Sequence, residues 1–216
     1  MTGPNSPPRR RFDGVLFDLL TALLDSWTLW NDVAGGEAMG RRWRAEYLQR
    51  TYRTGAYRPY AVLVREAAEA IGLPRGVADT LSDRYPELRP WPDVRDVLGQ
   101  LAAAGMRLGV VTNCSEELGR IAARCVGIDF DVVVTAERAG FYKPDPRTYR
   151  LGVAELGLAP ERCLFVAGSA YDLVGTAAVG LTTYWHDRVG MAPPGGAPPP
   201  LAHHRTLGAL PSVALA

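Results

Sequence analysis

Val15-Leu16-Phe17-Asp18 is a run of three apolar residues that ends in an aspartate. Similar apolar runs follow at residues 108–112, 132–135 and 163–167. Continuous runs of this kind, rich in β-branched residues, are typical of the central strands of a parallel sheet, because such strands are buried on both faces. The four runs therefore predict a parallel sheet whose first strand ends at Asp18.

The segments that separate these runs carry the signals of helices. Residues 93–103 end two residues before a glycine, and residues 116–125 follow Ser115, a residue type that caps helix N-termini. Residues 146–156 begin with a proline, which suits the first turn of a helix, and end before Gly157. Strands that alternate with helices predict an α/β fold, a doubly wound parallel sheet.

Residues 26–89 hold no strand-like run and carry many tryptophans and tyrosines among arginines. We interpret them as a helical cap inserted after the first strand, with helical patterns near 37–53, 60–71 and 76–84. The alternative is an elaborate first crossover whose aromatic residues only pack. In either case the segment hangs over the carboxyl ends of the strands, where open α/β sheets bind ligands. The predicted organisation is a flexible tail at 1–10, a core at 11–25 and 90–190, the cap at 26–89, and a Pro/Gly-rich loop with a C-terminal segment at 191–216.

The composition is that of a globular protein with one ordinary domain or a core with a modest insert: 216 residues, 47% hydrophobic, 22% charged, net charge +1. The near-neutral charge gives no electrostatic footprint for nucleic acid, and no apolar run reaches the roughly 18 residues of a membrane span. The N-terminal segment lacks the apolar core of a secretory signal, so we expect a cytoplasmic protein. The three cysteines have no metal-ligand spacing and give no sign of a metal or cofactor.

Polar residues stand where the predicted strands end. Asp18 ends the first run, and Lys143 is the only lysine in a chain with 23 arginines. Asp172 beside Asp18 would repel it and raise its pKa, whereas an ammonium between the two carboxylates would keep one of them ionised and nucleophilic. An ion pair that merely closes the end of the sheet is the alternative. The other polar residues at these strand ends are Thr112, Asn113 and Ser169.

Four motifs occur in the order found in the haloacid dehalogenase (HAD) superfamily: FDLLTALLD at 17–25, VTN at 111–113, KPDP at 143–146 and VAGSAYD at 166–172. From about residue 12 to residue 189 the chain resembles a HAD member with a helical cap after the first strand. The resemblance implies a HAD-like, Rossmann-like core. It also implies that Asp18 is the nucleophile and that Lys143 fixes and ionises it. Thr112 and Asn113 would hold the acid group of the substrate.

Two departures from the phosphatases of this superfamily bear on the reaction. Those enzymes carry a general acid two residues after the nucleophile, where this chain has Leu20. They also carry an acidic magnesium ligand in the fourth motif, where this chain has Gly168. Mg²⁺ needs oxygen ligands that neither residue supplies from a side chain. We therefore expect substitution at carbon without a metal or cofactor.

The resemblance is to the L-2-haloacid dehalogenase branch. Tyr149 stands six residues after the lysine of the third motif, as in Lys-Pro-Asp-x-x-x-Tyr of those enzymes. Residues 170–175 resemble their Ala-Trp-Asp-x-x-Gly. Trp43-Arg44 resembles the Trp-Arg pair whose arginine receives the departing halide. Arg44, Tyr149 and Ser169 are accordingly expected among the substrate-binding residues.

The resemblance implies that Asp18 attacks a small 2-substituted carboxylic acid and expels a halide. The ester that forms is then cleaved by water with help from Asp172. The chain departs from the branch at Thr21, which comes one position early, and in the fourth motif, which loses hydrogen-bonding groups. The leaving group therefore stays open, and ring opening of L-azetidine-2-carboxylate is the close alternative to (S)-2-haloacid dehalogenation. A phosphatase and a non-catalytic binding protein are further alternatives, and a homodimer formed through the cap is the habit of the family.

Overall fold

A parallel sheet forms the centre of the computed structural model, which describes residues 10–216. Its strands are β1 (Gly14–Phe17), β2 (Arg107–Thr112), β3 (Val132–Thr135), β4 (Cys163–Ala167), β5 (Thr182–His186) and β6 (Ala202–His204). Within the described range all strand pairs are parallel, and the order across the sheet is β3-β2-β1-β4-β5-β6. The α/β prediction is confirmed, but β3, predicted as a central strand, lies at the edge of the sheet, and the interior strand β5 was not predicted. The tail expected at residues 1–10 lies outside the described residues, apart from residue 10.

Helices connect the strands and form the segment after β1. They are α1 (Ser26–Val33), α2 (Glu37–Thr54), α3 (Tyr60–Ala70), α4 (Val77–Asp83), α5 (Val94–Ala103), α6 (Glu116–Val126), α7 (Ala136–Ala139), α8 (Pro146–Leu156), α9 (Asp172–Ala177) and α10 (Leu210–Ala214). The segment predicted as a cap contains α1 to α4, which pack on one another in sequence. Between residues 10 and 216 no helix has the length and apolar character needed to cross a membrane.

Successive residues of the central strands pack on opposite faces of the sheet. Val15 and Phe17 of β1 belong to a hydrophobic cluster that includes α5, α6 and the cap helices, whereas Leu16 packs with residues of α8. All residues of β1 and β4 are buried. Burial on both faces explains why these strands are continuous apolar runs in the sequence.

The C-terminal segment contributes a strand and buried residues to the core, which the expected Pro/Gly-rich loop did not indicate. Residues 202–204 form β6 beside β5, and Leu207 and Leu210 are fully buried where α10 packs against α5. The strand has only three residues, and two of them are exposed histidines. Such an edge strand has neither an apolar run nor a clear alternation, so its sequence gave no strand signal.

The cap helix α2 lies over the carboxyl ends of the central strands. The Tyr47 hydroxyl donates a hydrogen bond of 2.8 Å to the carbonyl oxygen of Asn113, just after β2. Tyr52, about 1.4 turns further along α2, has its hydroxyl 3.3 Å from the Ser169 hydroxyl, just after β4. Since β1 lies between β2 and β4, these contacts close the crevice at which open α/β sheets bind ligands.

Candidate active site

Asp18 is the first residue after β1 and is buried, with 6% of its surface exposed. Its Oδ2 atom accepts hydrogen bonds from the backbone N–H groups of Thr21 (2.9 Å) and Ala22 (3.2 Å), and from the Thr21 hydroxyl. Its Oδ1 atom accepts a bond of 2.7 Å from Lys143 Nζ. Burial alone would raise the pKa of Asp18, but the Lys143 ammonium and the Thr21 hydrogen bonds together hold it below its usual value. Asp18 is therefore an ionised carboxylate.

Lys143 joins the two buried carboxylates that the sequence analysis expected it to join. Its Nζ atom lies 2.7 Å from Asp18 Oδ1 and 3.1 Å from Asp172 Oδ1. Burial opposes the charge of Lys143, but Asp172 and Asp18 outweigh that effect and raise its pKa. The Asn113 side chain clamps the backbone of Lys143, because Oδ1 accepts from Lys143 N (2.7 Å) and Nδ2 donates to Lys143 O (3.1 Å). Asn113 thus positions the lysine.

Asp172, the first residue of α9, differs from Asp18 in its surroundings. Its Oδ1 atom accepts from Lys143 and from the Tyr149 hydroxyl, the latter at 2.6 Å. Its Oδ2 atom is buried and has no hydrogen-bond partner in the protein. Burial raises the pKa of Asp172, and Lys143 only partly opposes this. Two adjacent carboxyl groups with pKa values pushed in opposite directions are suited to different roles, one as nucleophile and the other as proton acceptor.

The loop after β1 is pressed against Gly168. A Cβ atom at residue 168 would lie 2.5 Å from the carbonyl carbon of Thr21 and closer still to Ala22 N, so no side chain fits there. This approach brings Thr21 to Asp18 although the threonine stands one position earlier than in the dehalogenase branch. The loss of a side chain at Gly168 and the shift of Thr21 are therefore complementary, and Asp18 keeps its hydroxyl donor.

Two residues outside the four motifs hold the other side of this loop. Trp91 Nε1 donates a bond of 3.1 Å to the carbonyl oxygen of Thr21, which belongs to the same peptide unit as the Ala22 N–H that reaches Asp18. His186 Nδ1 lies 2.8 Å from the carbonyl oxygen of Ala22. Both contacts are long-range, and neither residue stands in a motif that would have indicated the role.

Arg44 faces the site from the cap helix α2. Its guanidinium lies 4.2 Å above the Trp27 ring, and Nη1 donates a bond of 2.7 Å to the Ser26 hydroxyl. Only 4% of Arg44 is exposed, and no carboxylate of residues 10–216 forms an ion pair with it. Burial lowers the pKa of Arg44, although the group stays cationic. A buried cation without a carboxylate partner is costly, and an anionic guest would compensate it.

These side chains surround a small cavity of about 40 Å³ between cap and core. The predicted site residues that line it are Asp18, Arg44, Thr112, Asn113, Lys143, Ser169 and Asp172. Tyr149 is the exception among the predicted residues. It is fully buried beneath the site, and its hydroxyl is bonded to Asp172. Thr112 is also fully buried, with its hydroxyl 3.6 Å from Cys114 Sγ.

Comparison with known proteins agrees with this geometry. The family model of the haloacid dehalogenase-like hydrolases matches residues 12–180. The chain belongs to this family. It is 31% identical to (S)-2-haloacid dehalogenase 1 of Pseudomonas sp. (strain CBS-3) over an alignment of 188 residues, and this alignment covers 82% of each chain. It is 29% identical to (S)-2-haloacid dehalogenase 4A of Burkholderia cepacia over an alignment of 171 residues, and this alignment covers 74% of each chain. A crystal structure of a dehalogenase with an intermediate complex has a TM-score of 0.84 at 25% identity and covers 97% of this chain and 100% of that chain.

As a haloacid dehalogenase-like hydrolase, the chain is an enzyme whose donor set does not suit Mg²⁺. Leu20 and Gly168, at the positions of the phosphatase acids, supply no side-chain oxygen. The Lys143 ammonium is bonded to both Asp18 and Asp172, so it stands where a shared cation would have to bind. Mg²⁺ requires near-octahedral oxygen coordination, which this arrangement does not offer.

Proposed function

We propose that the enzyme is an (S)-2-haloacid dehalogenase that uses Asp18 as a nucleophile at carbon. The observation that carries the proposal is a cavity that lies between a buried carboxylate and a buried guanidinium. On the core side is the buried Asp18 carboxylate, kept ionised by Lys143, and on the cap side is the Arg44 guanidinium, which has no carboxylate partner among the described residues. The haloacid dehalogenases among the relatives support the same reaction.

In the first step, an oxygen of Asp18 forms a bond to C2 of the 2-haloacid, and the halide leaves with the bonding electron pair. No proton is transferred in this step, so the reaction does not need a general acid at the position of Leu20. Arg44 stabilises the departing anion from the cap side, and the substrate carboxylate is attracted by the same guanidinium. We propose that Asp18 Oδ1 makes the bond, because Oδ2 already accepts three hydrogen bonds.

In the second step, water attacks the carboxyl carbon of Asp18 and cleaves the ester there. Asp172 accepts a proton from that water through its unpartnered Oδ2, and the proton passes to the departing alkoxide, which becomes the hydroxyl of the product. The N–H groups of Thr21 and Ala22 stabilise the negative charge that develops on Asp18 Oδ2. Asp18 is regenerated as a carboxylate and one proton is released to solvent.

The experiment that tests this function offers two substrates in parallel, (S)-2-chloropropionate and L-azetidine-2-carboxylate, to the purified enzyme with EDTA present. We expect chloride release from the first and no ring opening of the second. Of the two departures that left ring opening open, the shift of Thr21 is compensated, because Thr21 still reaches Asp18. Ring opening without chloride release would contradict the proposal. Phosphate release from small phosphate esters on addition of Mg²⁺ would revive the phosphatase alternative.

Two finer expectations belong with this proposal. The small carboxylic acid is the partner that the site supports, whereas the homodimer through the cap rests on the resemblance and stays a prediction that light scattering would test. A cytoplasmic location also stays a prediction, and cell fractionation would test it.

A further inference from the structure

A stacked pair of tyrosines joins cap to core beside the cavity. The ring of Tyr52, on α2, lies with its centroid 4.0 Å from that of Tyr171, in the loop after β4, and the ring planes differ by 24°. Both rings line the cavity that contains Asp18, and both residues are partly exposed to solvent. The Tyr52 hydroxyl lies 3.3 Å from the Ser169 hydroxyl. The pair therefore separates the reacting groups from solvent on this side.

Tyr47, which also lines the cavity, belongs to the closely packed interior of the cap. There the cap interior is a cluster of aromatic rings, with Trp30 and Trp43 centroids 4.6 Å apart and Tyr47 and Tyr60 centroids 5.5 Å apart. Each of these four residues is at most 4% exposed. Closely packed interiors accommodate extra atoms only at a cost of about 1–3 kcal/mol or more. Tyr52 lies outside this cluster and is partly exposed, so its ring can move aside at less cost than the ring of Tyr47.

We propose that Tyr52 sets the upper limit of the carbon chain that the enzyme accepts at C2. This inference rests on the proposed function, because it names the substrates of the same site. Haloacetate and 2-halopropionate fit beneath the Tyr52–Tyr171 pair, whereas the chain of a longer 2-haloacid needs the space that the Tyr52 ring occupies. Longer acids are accepted only when the ring is displaced.

The test compares kcat/KM for chloroacetate and for the (S)-enantiomers of 2-chloropropionate, 2-chlorobutyrate and 2-chlorohexanoate. An added methylene group that a pocket does not accommodate is worth about 10- to 200-fold in kcat/KM, so we expect the wild type to lose about 100-fold or more between propionate and hexanoate. Tyr52→Ala should reduce this loss to less than about 10-fold. Tyr52→Phe keeps the stacked ring and should keep the wild-type profile, which separates the ring from its hydroxyl.

A matched control exists elsewhere at the boundary between cap and core. Tyr57 stacks on Tyr142 with centroids 5.4 Å apart and planes at 22°, but it does not line the cavity of Asp18. Tyr57→Ala therefore removes a similar contact and should leave the chain-length profile unchanged. An unchanged profile in Tyr52→Ala, or the same change in Tyr57→Ala, would overturn the inference.

A binding measurement separates this inference from the proposed reaction. In the Asp18→Asn background, propionate, butyrate and hexanoate are titrated by tryptophan fluorescence, to which Trp27 beside Arg44 contributes. We expect hexanoate to bind at least about 10-fold more tightly when Tyr52→Ala is added, and propionate to change little. If the wild type released no halide from any acid but this binding difference appeared, the proposed reaction would fail and the limit set by Tyr52 would stand. If the enzyme released halide but Tyr52→Ala changed neither profile, the proposed reaction would stand and the chain-length limit set by Tyr52 would be wrong.

Discussion

Replacing Lys143 with methionine should impair the enzyme most at neutral pH and less at high pH. The ammonium lies 2.7 Å from Asp18 and 3.1 Å from Asp172, and both carboxylates are buried. Methionine has a similar length and no charge. The variant therefore leaves two carboxyl groups facing one another without a cation, and both pKa values rise. Asp18 then becomes ionised, and hence nucleophilic, only at a higher pH.

The size of the effect follows from the geometry. At an effective dielectric constant of about 20, two unit charges 2.7 Å apart attract each other by about 6 kcal/mol. Part of this is offset by the cost of burying the ammonium, and removing one partner of a buried pair typically costs about 3–5 kcal/mol. Since about 1.4 kcal/mol corresponds to a factor of ten in rate, we expect kcat/KM at neutral pH to fall by about 100- to 4000-fold.

The assay is halide release from (S)-2-chloropropionate between about pH 5 and pH 10, with thermal unfolding followed over the same range. In the wild type, the lowered pKa of Asp18 predicts a carboxylate that is fully ionised throughout, so Asp18 should impose no acidic limb. In Lys143→Met the raised carboxyl pKa values should give a rate that increases with pH. They should also give a melting temperature that decreases with pH, because stability conferred by buried neutral carboxyl groups is lost as the pH rises through their folded-state pKa.

Lys143→Arg is the companion variant. It keeps the positive charge but replaces a compact ammonium with a planar fork, which does not fit between two carboxylates at these distances. We expect it to be severely impaired as well, without the shift of the pH profile to high pH. A Lys143→Met variant with the wild-type pH profile, or a Lys143→Arg variant with near-normal rates, would refute the reasoning about the ammonium.

Further variants test the other parts of the site. Asp18→Asn should abolish turnover while the melting temperature stays nearly unchanged, because Lys143 keeps its ion pair with Asp172, and measurable turnover in that variant would contradict the role of Asp18. Tyr149→Phe removes the 2.6 Å bond to Asp172, so it should cost about 1–3 kcal/mol of stability and slow hydrolysis of the ester more than its formation, as a burst of halide in rapid-quench kinetics would show. Gly168→Ala places a Cβ 2.5 Å from the carbonyl carbon of Thr21 and should cost about 1–3 kcal/mol in denaturant unfolding with a matching loss of kcat, so a fully active and stable variant would disprove the close approach.

The sequence predicted the features that depend on local pattern. Strands β1 to β4, most helices of the core and cap, and the polar residues at the strand ends were recognisable, because each follows from an apolar run, a cap or a motif. The interior strand β5 was not predicted. Lys143 was identified from chemistry, since two carboxylates that meet at the carboxyl end of the sheet need a cation. The structure places the Lys143 ammonium between Asp18 and Asp172.

The features that were missed depend on contacts between distant residues. Asn113 was expected to hold the substrate, which stays a prediction, but the bonds of its side chain to the backbone of Lys143, 30 residues away, were not foreseen. The early position of Thr21 left the leaving group open, because the contact between Thr21 and Gly168 is visible only in the structure. No local pattern encodes either contact. Tyr52 carried no signal for the same reason, since its partner Tyr171 lies 119 positions further along the chain.

The central claim is that the reaction passes through an ester of Asp18, and a single turnover in H₂¹⁸O tests it most directly. Enzyme in excess over (S)-2-chloropropionate is quenched after one turnover, and mass spectrometry is applied to the lactate and to the peptide that contains Asp18. An ester of Asp18 predicts lactate whose new hydroxyl oxygen is unlabelled and an Asp18 peptide that has gained one ¹⁸O atom. Labelled lactate together with an unlabelled Asp18 peptide would mean that water attacks the substrate directly, and the nucleophilic role of Asp18 would be wrong.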